Sequence, residues 1–275
     1  MGGSEQLQKF LRHYQKRLTM DQVGKIILGL IMILGLTGCE AEEIRFQTYE
    51  LLQCEEPENK NLAGMLKKQA GGVMVRITAG DLVGSGVIFR IDQKEMVILT
   101  AAHVLEGVTA QNGSVAIAES TQLKIQLADG TVLYDKNDDR SKDTDGDWSV
   151  MLSQTSDLGM ITVPMEQIPE EVFATCRYVT MDKEAFDALT VGDMILVMGS
   201  AEEVAGNAYE GTLTDPWIYL EDYKQYMMLG CTFAQPGMSG GGVFDRHGRF
   251  IGILSGADEQ GNLAIVPLSL ILSEL

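Results

Sequence analysis

From Val73 onward the chain alternates short apolar runs with polar or glycine-rich breaks, and no run has the length or the 3.6-residue recurrence of a helix. Val73 to Thr78, Ser85 to Ile91, Glu95 to Thr100, Leu123 to Leu127 and Leu158 to Val163 form a first set of predicted strands. A polar, helix-compatible stretch around Met165 to Ala174 follows. Beyond it, Met194 to Met198, Tyr209 to Leu213, Met227 to Phe233, Gly242 to Phe244, Phe250 to Leu254 and Leu263 to Val266 form a second set. The class is therefore all-β. Two β-units of similar size joined near Pro164 to Cys176 fit the pattern better than one barrel, with a short helix expected at Pro267 to Leu275. No internal repeat or sustained heptad is present.

The amino-terminal stretch has a different pattern. Ile26 to Gly38 carry no charge, follow Lys25 and end in Leu36-Thr37-Gly38-Cys39, the order of an export signal. The run is shorter than the roughly 20 residues of a membrane-spanning helix. The tetrapeptide resembles the lipobox of bacterial lipoproteins, which implies diacylglycerol on the Cys39 thiol and attachment to the extracytoplasmic face of a bacterial cell membrane. The basic lead of Lys9, Arg12, Lys16 and Arg17 is long for a signal, and Met20 would begin a more typical one. Glu40 to Ala70, rich in Glu, Gln, Lys and Asn, reads as a tether. The expected division is 1–38 signal, 39–70 acidic tether and 71–275 folded domain, with its two units at about 71–164 and 176–275.

At 275 residues and 45% hydrophobic, the chain can bury one large core or two small ones. A net charge of -18 repels phosphate backbones and argues against nucleic acid as a partner. Cys54, Cys176 and Cys231 would remain beside Cys39 after export, and their spacing suggests neither a disulfide framework nor a zinc site, so no structural disulfide is expected. Asp143, Asp145 and Asp147 alternate like calcium-loop ligands. Trp148 and Gln154 stand where that motif needs glycine and glutamate, so the run reads as a solvated acidic loop and no metal or cofactor is expected.

The candidate chemistry is a serine boxed in by glycines, Pro236-Gly237-Met238-Ser239-Gly240-Gly241-Gly242. Serine is a poor nucleophile at neutral pH and needs a base within hydrogen-bond reach, itself oriented by a buried acid. His103 ends the apolar strand Met96 to Thr100 and follows two alanines that leave room for the ring. His247 lies in the hairpin turn Asp245-Arg246-His247-Gly248 and reads as a solvated turn residue. Asp157, at the start of the apolar run Leu158 to Val163, is preferred as the acid over its rival Asp147 in the acidic loop. Glycines around the serine let backbone N–H groups converge on a developing oxyanion, with Gly237 and Ser239 as the expected donors.

Five stretches in this order resemble the trypsin-like serine peptidases of chymotrypsin fold, most closely the Deg/HtrA type: Gly84 to Phe89, Leu99 to Val104, Ser156 to Met160, Val191 to Ser200 and the Ser239 segment. The resemblance spans about Gly71 to Pro267. It implies two six-stranded antiparallel β-barrels with the active site in the cleft between them, and proteolysis through an acyl-enzyme. By the same analogy Phe233 lies at the floor of the substrate pocket and Leu254-Ser255-Gly256 forms its wall. With no acid at Phe233, small or medium aliphatic side chains are expected there. Gly159 stands where the family usually has alanine, and Met238 where it has Asn or Asp. No carboxy-terminal PDZ domain is expected.

Three function classes follow: a surface-tethered serine endopeptidase acting on proteins or peptides, a peptide-binding module whose Met238 distorts the oxyanion hole, and an esterase using the same triad.

Overall fold

Strands with one face in a core show strict alternation, as in Leu123–Leu127 and Gly159–Pro164, while those covered on both faces are continuously buried, as in Asn262–Pro267. The computed structural model describes residues 72–275 apart from 107–108, 112–113, 117–122, 136–148, 169, 175 and 202–203. The export segment, Cys39, the tether and the Asp143, Asp145 and Asp147 run lie outside the described residues.

The first sheet contains β1 (Met74–Ala79), β2 (Leu82–Ile91), β3 (Glu95–Thr100), β4 (Thr109–Gln111), β5 (Ser114–Ala116), β6 (Leu123–Leu127), β7 (Val132–Asp135), β8 (Ser149–Leu152) and β9 (Gly159–Pro164). These nine strands run in the order β4-β5-β8-β9-β3-β2-β1-β6-β7. The second sheet closes as a barrel, β10-β11-β12-β15-β14-β13. Its strands are β10 (Met194–Ala201), β11 (Val204–Leu220), β12 (Gln225–Cys231), β13 (Gly242–Asp245), β14 (Phe250–Ala257) and β15 (Asn262–Pro267). Three short helices complete the described residues: α1 (Glu170–Phe173), α2 (Lys183–Asp187) and α3 (Leu268–Glu274).

The all-β, two-sheet expectation holds, and the carboxy-terminal helix lies where it was expected. The first sheet differs from a six-stranded unit, because β4, β5, β7 and β8 add three- or four-residue strands too short to show an alternation. Helix α2 was not expected. It is started by Asp182, whose side chain accepts a hydrogen bond from Ala185 N at 3.0 Å.

Each sheet encloses its own apolar core. Val75, Ile77, Ile88, Met96, Ile98 and Ile161 fill the first, and Ile195, Val197, Met228, Val243 and Ile265 the second. The connecting segment sutures the two. Val179 N donates to Ile88 O in β2 (3.1 Å), and Phe250 N in β14 donates to Thr180 O (2.8 Å). Phe89 meets Phe250 edge to face across this seam, with centroids 6.1 Å apart.

Cys176 is a buried free thiol that donates to Val172 O, and burial pushes its pKa up to about 11, which makes it unreactive. Cys231 is disulfide-bonded, against the expectation of no structural disulfide. Tertiary proximity, which sequence spacing does not encode, decides such pairings.

Candidate active site

Antiparallel pairing brings the expected base and the expected acid together. Strand β3 pairs with β9 so that Thr100 lies opposite Gly159, which places the residues just after β3 beside those just before β9. His103 lies in the 3-10 turn Ala102–Leu105, anchored by buried Val104 and Leu105. Asp157 lies in the loop before β9, which is drawn tight by Ser153 N donating to Leu158 O at 2.8 Å. The space is narrow at Gly159: a Cβ there would lie 3.0 Å from Leu105 Cδ1 and 3.2 Å from Thr100 Cγ2.

His103 makes two bonds to the carboxylate. Its Nδ1 lies 2.9 Å from Asp157 Oδ2, and its backbone N–H donates to Oδ1 at 3.0 Å. Asp157 thereby fixes both the ring and the chain segment carrying it. The hydrogen bond that the ring donates to the carboxylate raises the His103 pKa above its ordinary value, burial opposes that shift, and the charges of Asp157 and Glu106 add to it. The imidazole keeps a solvent-facing side, with 43% of its side chain exposed against 15% for Asp157.

A third donor converges on the same carboxylate. Ser255 Oγ hydrogen-bonds Asp157 Oδ2. The β14–β15 register shifts between Leu254 and Gly256, and this irregularity at Ser255 accompanies the inward aim of its side chain. The resemblance assigned Leu254, Ser255 and Gly256 to a substrate wall; in the structure the Ser255 side chain holds Asp157, a contact that neither motif nor spacing indicated. Leu254 braces the Ser239 loop, its N–H donating to Gly241 O (2.9 Å) and its carbonyl accepting from Gly240 N (2.7 Å). Gly256 lies under Tyr223, whose Oη would be 2.9 Å from a Cβ at that position.

Ser239 is held against the end of β3. Its carbonyl accepts from Ser85 N in β2 at 2.7 Å, and Gly240 packs on Ser85 O, Thr100 Oγ1 and Ala101 N. Within the loop, Met238 N donates to Gln235 O (3.1 Å) and Gly241 N to Met238 O (2.9 Å). The amides of Gly237 and Ser239 donate to nothing among the described residues. Those two N–H groups are the expected oxyanion donors. No hydrogen bond joins Ser239 Oγ to His103 among the described residues; such bonds are often long before substrate arrives.

Met238 does not face the site. Its side chain is fully buried in the second core, with Sδ accepting from Gln235 N at 3.4 Å. Phe233, assigned by analogy to the pocket floor, is 50% exposed and packs edge-on against Tyr209, centroids 5.3 Å apart. His247 N donates to Asp245 Oδ1 in the turn between β13 and β14, a structural contact.

The arrangement can be compared with known proteins. Residues 84–253, more than half of the chain, match the family described as the trypsin-like peptidase domain. The fold is similar to the solved Rv3671c protease of M. tuberculosis in its active form, at 13% identity and a TM-score of 0.56, over 81% of this chain and 87% of that one. It is equally similar to the inactive form, with a TM-score of 0.56 at 13% identity over 82% and 98% of the two chains. The HtrA-type protease AlgW solved with a tripeptide gives a TM-score of 0.55 at 19% identity, over 77% of this chain and 61% of that chain. No curated protein sequence matches. With the family match running through the His103 turn, the Asp157 loop and the Ser239 loop, the chain belongs to the trypsin-like peptidase family.

Proposed function

We propose that the protein is a serine endopeptidase that cleaves peptide bonds through His103, Asp157 and Ser239. The observation that carries this reading is the His103–Asp157 pair, bonded twice and braced by Ser255, beside a serine loop in which the Gly237 and Ser239 amides donate to nothing among the described residues. Ser239 Oγ attacks the scissile carbonyl carbon and its proton passes to His103 Nε2. The carbonyl oxygen, now anionic, takes hydrogen bonds from Gly237 N and Ser239 N. Collapse expels the amine, which takes the proton from His103 and leaves an acyl-serine. Water then repeats the sequence, with His103 again as base and Ser239 as leaving group.

Burial of Met238 in the second core favours turnover over a binding-only module, because its side chain does not enter the oxyanion loop's mouth. The decisive experiment is labelling by a fluorophosphonate. The wild type is expected to label, and Ser239→Ala to remove labelling with the fold intact. A folded wild type that stays unlabelled would sink the enzyme reading.

The same proposal places the protein at the bacterial cell surface, tethered through lipidated Cys39, with protein or peptide substrates. Its specificity is assigned from the resemblance that puts Phe233 at the pocket floor, where the residue is an aromatic ring packed on Tyr209 and not an acid. A peptide library is expected to show cleavage after small or medium aliphatic residues. A profile dominated by Arg or Lys would refute that pocket assignment.

A further inference from the structure

Ser85 touches more of the nucleophile loop than any role given to it so far explains. Fully buried in β2 between two glycines, it donates from its backbone N to Ser239 O (2.7 Å) and from Oγ to Gly237 O (2.7 Å). Its hydroxyl also accepts from Ser200 N in β10 (2.6 Å), and its carbonyl accepts from Thr100 Oγ1 (2.7 Å). The proton direction at Oγ is fixed. Ser200 N–H can only donate, so the Ser85 hydroxyl must spend its own hydrogen on Gly237 O.

We infer that Ser85 is a positioning residue that sets the oxyanion hole, an inference resting on the serine peptidase reading above. Gly237 and Ser239 are the two oxyanion donors, and Ser85 holds the peptide plane on the carboxyl side of each. Gly237 adopts φ +89°, and as a glycine it has the widest choice of other conformations. The Ser85 hydroxyl selects, from these, the one in which the Gly237 carbonyl turns inward toward β2. Without that bond the loop divides its time among conformers, and only the fraction with both N–H groups convergent can stabilise the tetrahedral intermediate. The hydroxyl also links the loop to the second barrel through Ser200. The hole is thereby referenced to both sheets at a single oxygen.

The test is the fluorophosphonate labelling rate of Ser85→Ala, resolved into a maximal rate and a half-saturation concentration, across pH. The maximal rate is expected to fall about 10- to 100-fold, the loss typical of a reacting group misplaced by an ångström or less. Half-saturation should stay unchanged, and so should the pH of the acidic limb, because the His103–Asp157 pair is untouched. A general loosening of the site would move that limb as well. Ser85→Cys, which keeps a weak donor of similar size, is expected to recover part of the rate, and it decides the question should Ser85→Ala unfold. Wild type labelled and both variants labelled at its rate would overturn this inference alone. Absence of labelling in folded wild type would overturn it together with the proposed function.

Discussion

Asp157→Asn should lower kcat by about 10⁴, as expected when the orienting acid of such a triad becomes an amide. The local hydrogen bonds say how. Asp157 Oδ1 accepts from the His103 backbone N–H, which cannot turn away, so the asparagine must keep its single carbonyl oxygen there. Its NH2 group then occupies the position of Oδ2 and donates to His103 Nδ1. That donation forces the remaining imidazole proton onto Nε2, where it blocks acceptance of the Ser239 proton. Labelling or peptide hydrolysis within tenfold of wild type would mean that His103 and Asp157 do not act as a pair.

The same substitution has a pH signature. Since the Asp157 hydrogen bond raises the His103 pKa, the acidic limb of wild-type activity should lie above the ordinary histidine value of about 6.5. Residual activity of Asp157→Asn should show that limb at lower pH. Stability runs the opposite way. A raised folded-state pKa stabilises the fold fully below the unfolded value, and that contribution is lost as pH rises through the folded value. The protein is therefore most active in the range where His103 contributes least to its stability, which unfolding measured across pH would detect.

Gly240→Ala should remove both fold stability and activity. Gly240 adopts φ +83°, and an added Cβ would fall far inside contact distance of Ser85 O and Thr100 Oγ1, with Ala101 N at 3.0 Å. The Ser85 carbonyl cannot yield, because its residue is paired with Arg76 in the sheet and bonded to the Ser239 loop. A loss of about 4 kcal/mol or more is expected, in the range reserved for substitutions with no room to relax. Gly80→Ala is the matched control. Gly80 has φ +62° and nothing within 4 Å of an added Cβ, so it should show only the conformational cost of about 1–2 kcal/mol. Equal urea midpoints for the two variants would show that contact at Gly240 is not what forbids a side chain.

Much of this architecture is readable from the apolar pattern, alternating or continuous, where strands are regular. Glu95–Thr100 and Leu123–Leu127 begin and end where their apolar patterns do. The pattern fails where packing overrides it. Strand β2 starts at Leu82, three residues before the expected Ser85, because Gly84, which reads as a break, is buried within it with no room for a side chain: a Cβ there would lie 2.5 Å from Val104 Cγ1. Strand β11 continues past Leu213 through Thr214, Asp215 and Pro216 by way of register shifts, a route that polar residues and a proline conceal. In the site, His103, Asp157 and Ser239 are legible because their residue types are scarce or oddly framed. Ser255 and Ser85 are not. A serine hydroxyl is common, and its importance here comes from which distant atoms the fold delivers to it.

That delivery has a consequence in time. Ser255 reaches Asp157 across 98 residues of chain, and Ser85 reaches Gly237 across 152. Contacts so remote form late, after the costly loops that separate them have closed. A growing chain already carries the His103 turn and the Asp157 loop while the Ser239 loop and Ser255 are still unmade. The fold thus acts as its own safety catch, keeping the proposed chemistry unassembled until the second sheet has arrived as far as β14.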